Sequence, residues 1–275
     1  MSAGGAIRVT SRNARFQQWQ ALLGNRNKRQ RLQEFVVQGV RPINCARAYG
    51  WQFTSLLYNA ETRLSNWARQ TLEEVDAEKV AMAAELLAEL GDKSESAPEL
   101  VAVVRMPADD LDRLDLGPDF LGVVFDRPAN PGNIGTLLRS ADAFGAGALV
   151  TTGHAADAYD PRAIRASTGS VFAMPVIRAD TAGQVAERLA AAGVHVVGTD
   201  EHAETDIGDV DFALPTAIVV GNETAGLSRQ WRESVDTMVR IPMGGAASSL
   251  NAATAGSIVL YEASRQRLRA STSDR

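Results

Sequence analysis

Ser248-Ser249-Leu250-Asn251-Ala252-Ala253-Thr254-Ala255-Gly256, preceded by Ile241-Pro242-Met243-Gly244-Gly245, carries an apolar run through a polar, glycine-flanked turn into a helix-like pattern. Two stretches upstream are built the same way: Asn130-Pro131-Gly132-Asn133-Ile134-Gly135-Thr136-Leu137-Leu138-Arg139 and Gly221-Asn222-Glu223-Thr224-Ala225-Gly226-Leu227. Working outward from these turns, the pattern predicts strands over 121–125, 148–152, 194–198, 217–220 and 238–241. Helices are predicted over 134–144, 160–167, 182–192, 228–234 and 252–268. The strand runs are continuously apolar, as in a parallel sheet covered on both faces. Regular strand–helix alternation predicts a doubly wound α/β domain over 118–275.

The first hundred residues read differently. A helix is predicted over 12–35, a short strand ending in a turn at Glu34-Phe35-Val36-Val37-Gln38-Gly39, a helix over 41–49 and a strand over 54–58. Helices over 65–70 and 72–90, a polar turn over 91–98 and a strand over 100–105 complete a small α/β module, domain 1–106. An acidic linker over 107–117 follows.

The chain has 275 residues, 45% hydrophobic and 22% charged, as in ordinary globular proteins. No apolar run approaches the roughly 18 residues of a membrane span, and the N-terminus lacks a signal-peptide layout. Cys45 is the single cysteine, and His154, His195 and His202 make no zinc spacing with it. A cytoplasmic protein without a structural metal is expected. Residues 1–50 hold nine basic residues and one acid, Glu34, a net charge of +8, whereas the other 225 residues carry −13. Such an asymmetry suggests a segment that docks on a polyanion, with Arg26, Lys28, Arg29 and Arg41 as candidate RNA contacts. A solvated arginine-rich face is the alternative.

Ligands of open α/β sheets sit at the carboxyl ends of strands, where loops become helix N-termini. All three turns lie there. Glycine allows close backbone approach, and helix N-termini favour anionic groups. Glycines alone could serve only tight turns, but Asn133, Arg139, Glu223, Ser249 and Asn251 gather at the same strand ends. No Gly-x-Gly-x-x-Gly follows a strand and no Walker A loop is present. No serine elbow occurs, and the histidines are not placed for a hydrolase triad.

The three blocks resemble the motifs of the SpoU/TrmH family of S-adenosylmethionine-dependent RNA 2′-O-ribose methyltransferases, within the SPOUT superfamily. The first is Asn133-x-Gly135-x-x-x-Arg139 with Ala141-Asp142-Ala143-Phe144-Gly145. The second is Gly221-x-Glu223-x-x-Gly226-Leu227, and the third is Ile241-Pro242-Met243 through Ser249-Leu250-Asn251. The module before them is similar to the family's L30e-like substrate-binding domain. The resemblance implies a parallel sheet threaded into a deep trefoil knot, against the usual rule, and a homodimer whose two chains complete the site. It implies S-adenosylmethionine as methyl donor, held around Thr199, Gly221, Asn222, Ile241, Met243 and Leu250. The last helix, with Ile258, Val259 and Leu260, would pack in the dimer, plain core packing being the alternative.

The family assigns deprotonation of the ribose hydroxyl to the residue matching Arg139. Arginine's pKa of about 12.5–13.8 makes stabilisation of the developing alkoxide an equal reading. Asn133 and Asn251 would orient Arg139 or the ribose, Glu223 would pin Arg139 or serve as an N-terminal helix acid, and Ser249 would contact donor or ribose. Arg162 and Arg165 match a segment near the acceptor RNA. The basic N-terminal module favours large-subunit (23S) ribosomal RNA as substrate. A tRNA 2′-O-methyltransferase and a non-catalytic RNA-binding protein are the alternatives. Arginine outnumbers lysine 25 to 3, which suggests a high-GC genome and an antibiotic-resistance methylase of the avilamycin or thiostrepton type.

Overall fold

The computed structural model describes residues 7–91 and 98–273, so the expected turn over 91–98 falls largely outside the described residues. The chain divides into two compact units, one of Met1–Pro107 with Tyr159–Ile164 and one of Ala108–Ala158 with Arg165–Arg275.

In the first unit, β1 (Ile7–Val9) leads to α1 (Ala14–Gly24), α2 (Arg26–Leu32), β2 (Glu34–Gln38) and α3 (Val40–Ala48). β3 (Phe53–Asn59), α4 (Asn66–Glu74), β4 (Glu78–Met82), α5 (Ala84–Leu90) and β5 (Leu100–Arg105) complete it. The sheet order is β1-β4-β3-β5-β2, with β1, β4 and β3 parallel and β5 antiparallel to both neighbours. Phe16, Trp19 and Leu22 of α1 pack with Val36, Leu57, Val80, Val101 and Val103 of the sheet.

Two expectations fail here for identifiable reasons. The helix over 12–35 is broken at Asn25, whose side chain accepts from the Lys28 N–H and so starts a second helix. The helix over 72–90 is interrupted by β4, which lies between β1 and β3 with Val80 and Met82 fully buried. Pairing on both edges overrides the helix propensity of this alanine- and glutamate-rich stretch.

In the second unit, a 3-10 turn at Leu111–Arg113, capped by Asp110, brings Leu114 into the core. β6 (Leu121–Asp126), α6 (Pro131–Ala143), β7 (Ala148–Thr152), α7 (Pro161–Ser167, whose residues through Ile164 group with the first unit), β8 (Val176–Ala179) and α8 (Ala182–Ala191) follow. β9 (His195–Thr199), β10 (Thr205–Asp206), β11 (Thr216–Val220), α9 (Arg229–Ser234), β12 (Thr237–Arg240) and α10 (Ala252–Ser273) close the chain. The seven strands are all parallel in the order β10-β12-β9-β11-β6-β7-β8. β6, β7 and β11 are buried at every position, as their unbroken apolar runs require. β8 and β10 lie outside the predicted strands; they are short, and β8 carries Arg178 at its third position. α10 returns to pack on α6 and β11. Gly256 makes that approach possible, because a Cβ there would lie 2.7 Å from Leu137 and 2.9 Å from Val220.

Candidate active site

The carboxyl ends of β9, β11 and β12 open onto a cavity of about 360 Å³ in the second unit, at the lower end of ligand-pocket volumes. β9 contributes Thr199 and the following Asp200, Glu201 and His202. The β11 loop contributes residues 221–226, and the β12 loop contributes Ile241, Met243, Ser249 and Leu250. The structure thus brings together all six expected donor contacts, Thr199, Gly221, Asn222, Ile241, Met243 and Leu250, with Glu223 and Ser249 beside them. Gly221 is fixed by sterics: a Cβ there would come within 2.4 Å of the Gly226 backbone, where the loop folds back on itself. Asn222 and Gly226 exchange two backbone hydrogen bonds of 3.0 Å, and the Asn222 side-chain oxygen accepts from the Thr224 and Ala225 N–H groups.

A second set of bonds ties the three loops into one piece. Glu223 accepts from the Ala129 N–H (3.0 Å), the Asn130 N–H (3.3 Å) and the Asn133 amide (2.9 Å). The Asn251 amide donates to the Asn133 side-chain oxygen at 3.2 Å, while the Asn251 oxygen caps α10 through the Ala253 and Thr254 N–H groups. Burial works against the Glu223 carboxylate, but the donors from Ala129, Asn133 and Asn130 outweigh it and hold its pKa below the ordinary value. At Asp200 burial is likewise outweighed, by the His202 N–H and by Arg232 at 2.7 Å, and the pKa is lowered.

Arg139 stands apart. It is exposed on α6, does not line the cavity, and finds no acceptor among the described residues. Glu223 therefore does not pin Arg139; its oxygens are taken by Asn133 and two backbone N–H groups. Val259 and Leu260 of α10 are fully buried in their own unit, so they belong to its core. The outward apolar side chains of α10 are Tyr261, edge-on to Phe144, and Leu268.

Arg29 is 1% exposed, and its guanidinium donates to the Leu22 and Leu23 carbonyls. It secures the α1–α2 junction and offers no head group to a phosphate. Arg26 and Lys28 are half-buried, whereas Arg41 is exposed. Arg162 is exposed and paired with Asp160, and Arg165 is exposed. Asp200, Glu201, His202 and Arg232 join the cavity wall without belonging to any of the three motifs. The first three follow the expected strand over 194–198, so the carboxyl-end rule that selects the other loops points to them too. Among the described residues, no group of three His, Cys, Asp or Glu side chains could hold a metal ion. No helix of the described residues is long and apolar enough to cross a membrane.

Residues 121–261 match the SpoU rRNA Methylase family, and residues 13–102 match the SpoU L30e-like domain. The chain is 58% identical over 268 residues to the 23S rRNA (uridine(2479)-2′-O)-methyltransferase of Streptomyces viridochromogenes, covering 96% of this chain and 93% of that one. The structure is similar to that of the SpoU methyltransferase AviRb from Streptomyces viridochromogenes in complex with AdoMet, with a TM-score of 0.89, 58% identity and coverage of 94% and 99% of the two chains. It is also similar to an AdoMet-bound rRNA methyltransferase from Sinorhizobium meliloti, with a TM-score of 0.84, 29% identity and coverage of 95% and 98%. With both of its segments matched and its structure shared with these relatives, the chain belongs to the SpoU rRNA methylase family.

Proposed function

We propose that the protein is an S-adenosylmethionine-dependent methyltransferase that modifies a ribose 2′-hydroxyl of 23S ribosomal RNA. The observation that carries this reading is the bonding of the first motif loop, through Asn133, to Glu223 and Asn251 of the two motif loops that line the cavity. It is supported by 58% identity, over nearly the whole chain, to a 23S rRNA 2′-O-methyltransferase. The cavity wall fits the donor chemically. Ile241, Met243 and Leu250 offer apolar surface for a flat base, Thr199 and Ser249 offer hydroxyls, and Glu201 and Glu223 place negative charge near a cationic ligand, Asp200 being balanced by Arg232.

S-adenosylmethionine, when bound, supplies a methyl group activated on a sulfonium sulfur. The residues of the chain then have three tasks. The 221–226 and 241–250 loops hold the donor so that the methyl carbon faces the acceptor oxygen in line. Asn133 and Asn251 keep α6 and α10 in register. Arg139, a permanent cation, stabilises the negative charge that develops on the ribose oxygen while the hydroxyl proton passes to water. Because Arg139 does not line the cavity of its own chain, it meets the chemistry in a homodimer, with Tyr261 and Leu268 of α10 as the apolar surface for pairing. The reading includes the family's knotted threading, with α10 returning onto α6 after β12, and a cytoplasmic location where ribosomal RNA is met.

The test is methyl transfer from labelled S-adenosylmethionine to 23S ribosomal RNA, with bulk tRNA in parallel and the modified ribose mapped. Label in a ribose of 23S RNA is the expected result. Label in tRNA alone would move the substrate, and no label in either would leave an RNA-binding protein. Sedimentation should give a dimer; a fully active monomer would remove the paired-site reading.

A further inference from the structure

Where β6 ends, the chain turns through Arg127 with φ of 50°. That left-handed backbone is costly for a residue with a Cβ and natural for glycine. Glycine does occupy the neighbouring left-handed positions Gly153 and Gly226, with φ of 65° and 62°. An arginine at such a turn implies that its side chain is needed there.

The contacts of Arg127 indicate what it is needed for. Its Nη2 donates to the Gly226 carbonyl at 2.9 Å, and its own carbonyl accepts from the Asn222 amide at 2.7 Å. One residue therefore grips both ends of the 222–226 loop, every member of which lines the cavity. The grip is anchored from below. Arg127 Nε donates to Asp126 Oδ2 at 3.1 Å, and the Arg127 N–H donates to the Thr152 carbonyl at 3.0 Å. Asp126 is 1% exposed and also accepts from the Thr152 hydroxyl (3.0 Å) and the Ser228 N–H (2.7 Å). The Thr152 hydroxyl in turn accepts from the buried Trp231 indole at 3.1 Å. Arg127 does not line the cavity. Glu223, in the middle of the loop, is held separately by Ala129, Asn130 and Asn133.

We infer that Arg127 is a positioning residue for the methyl-donor pocket: it clamps the 222–226 loop in the shape that receives the donor. It sets donor affinity: the loop reaches the same shape once the donor is bound, so the transfer step, in which Arg139 acts, is unchanged. The inference rests on the cavity being the donor pocket.

Arg127→Lys keeps a cation beside Asp126 but cannot span both Asp126 and the Gly226 carbonyl; Arg127→Gly removes the side chain while suiting the backbone. S-adenosylmethionine binding is measured by calorimetry on the full-length wild type and both variants. KM for the donor, kcat on 23S ribosomal RNA and thermal unfolding are measured beside it. Wild type should bind the donor. Arg127→Lys should stay folded with a slightly lower unfolding temperature, since the Gly226 carbonyl loses its donor, and bind the methyl donor about tenfold more weakly. In both variants KM for the donor should rise in step and kcat at saturation should stay near wild type. Wild-type affinity in both variants, or a fall in kcat at unchanged KM, would overturn the inference. Failure of the wild type itself to bind would instead overturn the reading of the cavity.

Discussion

Asn133 is engaged from both sides: its amide donates to Glu223 and its oxygen accepts from Asn251. A carboxylate in either role would leave one neighbour without a complement, which is why an amide suits the position. Glu223 is the charged end of this chain, and its pH behaviour follows from its lowered pKa. A carboxylate depressed in the folded state contributes stability that is present above its unfolded pKa and lost as pH falls through the folded one. Glu223→Gln should therefore be less stable than wild type at neutral pH, and the gap should narrow on acidification below the ordinary glutamate range. Denaturant midpoints at neutral and at acidic pH check this, and a gap independent of pH would remove the carboxylate from the account. Arg139 lies outside these bonds, so Arg139→Ala should leave folding and donor binding intact and lower methylation by orders of magnitude. Near-normal turnover would end its assignment.

At the scale of elements, Gly256 shows how a backbone requirement serves the site. α10 begins at the Asn251 cap and lies against α6 and β11. Gly256→Ala would press a methyl against the terminal methyls of Leu137 and Val220, both buried in the core. Overpacking of this kind costs about 1–3 kcal/mol. We expect a lower denaturant midpoint together with weaker donor binding, since α10 carries one wall of the cavity; an unchanged midpoint would mean that the helices separate freely. Elements also differ in how far sequence reveals them. The apolar runs of β6, β7 and β11 and the turns after β6, β11 and β12 are local features, and they put the cavity loops where the structure has them. β4 and the break at Asn25 depend on partners distant in sequence or on a single side-chain cap, so helix propensity misreads both. The exposure of Arg139 and the grip of Arg127 on residues almost a hundred positions away leave no periodic trace at all.

Across the whole molecule, charge is distributed differently from its arrangement along the chain. The basic first fifty residues fold against acids that come later: Arg12 pairs with Glu89, Arg15 with Glu78 and Arg47 with Glu74. Over residues 1–107 the net charge is only +3, from 14 basic and 11 acidic residues. A polyanion therefore meets a few unpaired cations within a nearly balanced module. Arg8, Arg31 and Arg41 are exposed and have no acid partner among the described residues, whereas Arg29 is buried. Truncating the first fifty residues would remove β1, β2 and the α1 side chains that fill the core, so charge has to be tested by substitution. Each phosphate that a variant no longer neutralises lowers the dependence of log K on log salt by about 0.7–0.9. Replacing Arg8, Arg31 and Arg41 together by Gln should flatten that slope by about 2 for 23S RNA fragments while donor binding stays constant. Arg29→Gln should instead lower thermal stability and leave the slope in place, because its guanidinium serves carbonyl groups inside the fold. If the triple variant keeps the wild-type slope, these three arginines take no part in RNA binding, and the acceptor must be held by the second unit, where Arg165 is the first residue to substitute.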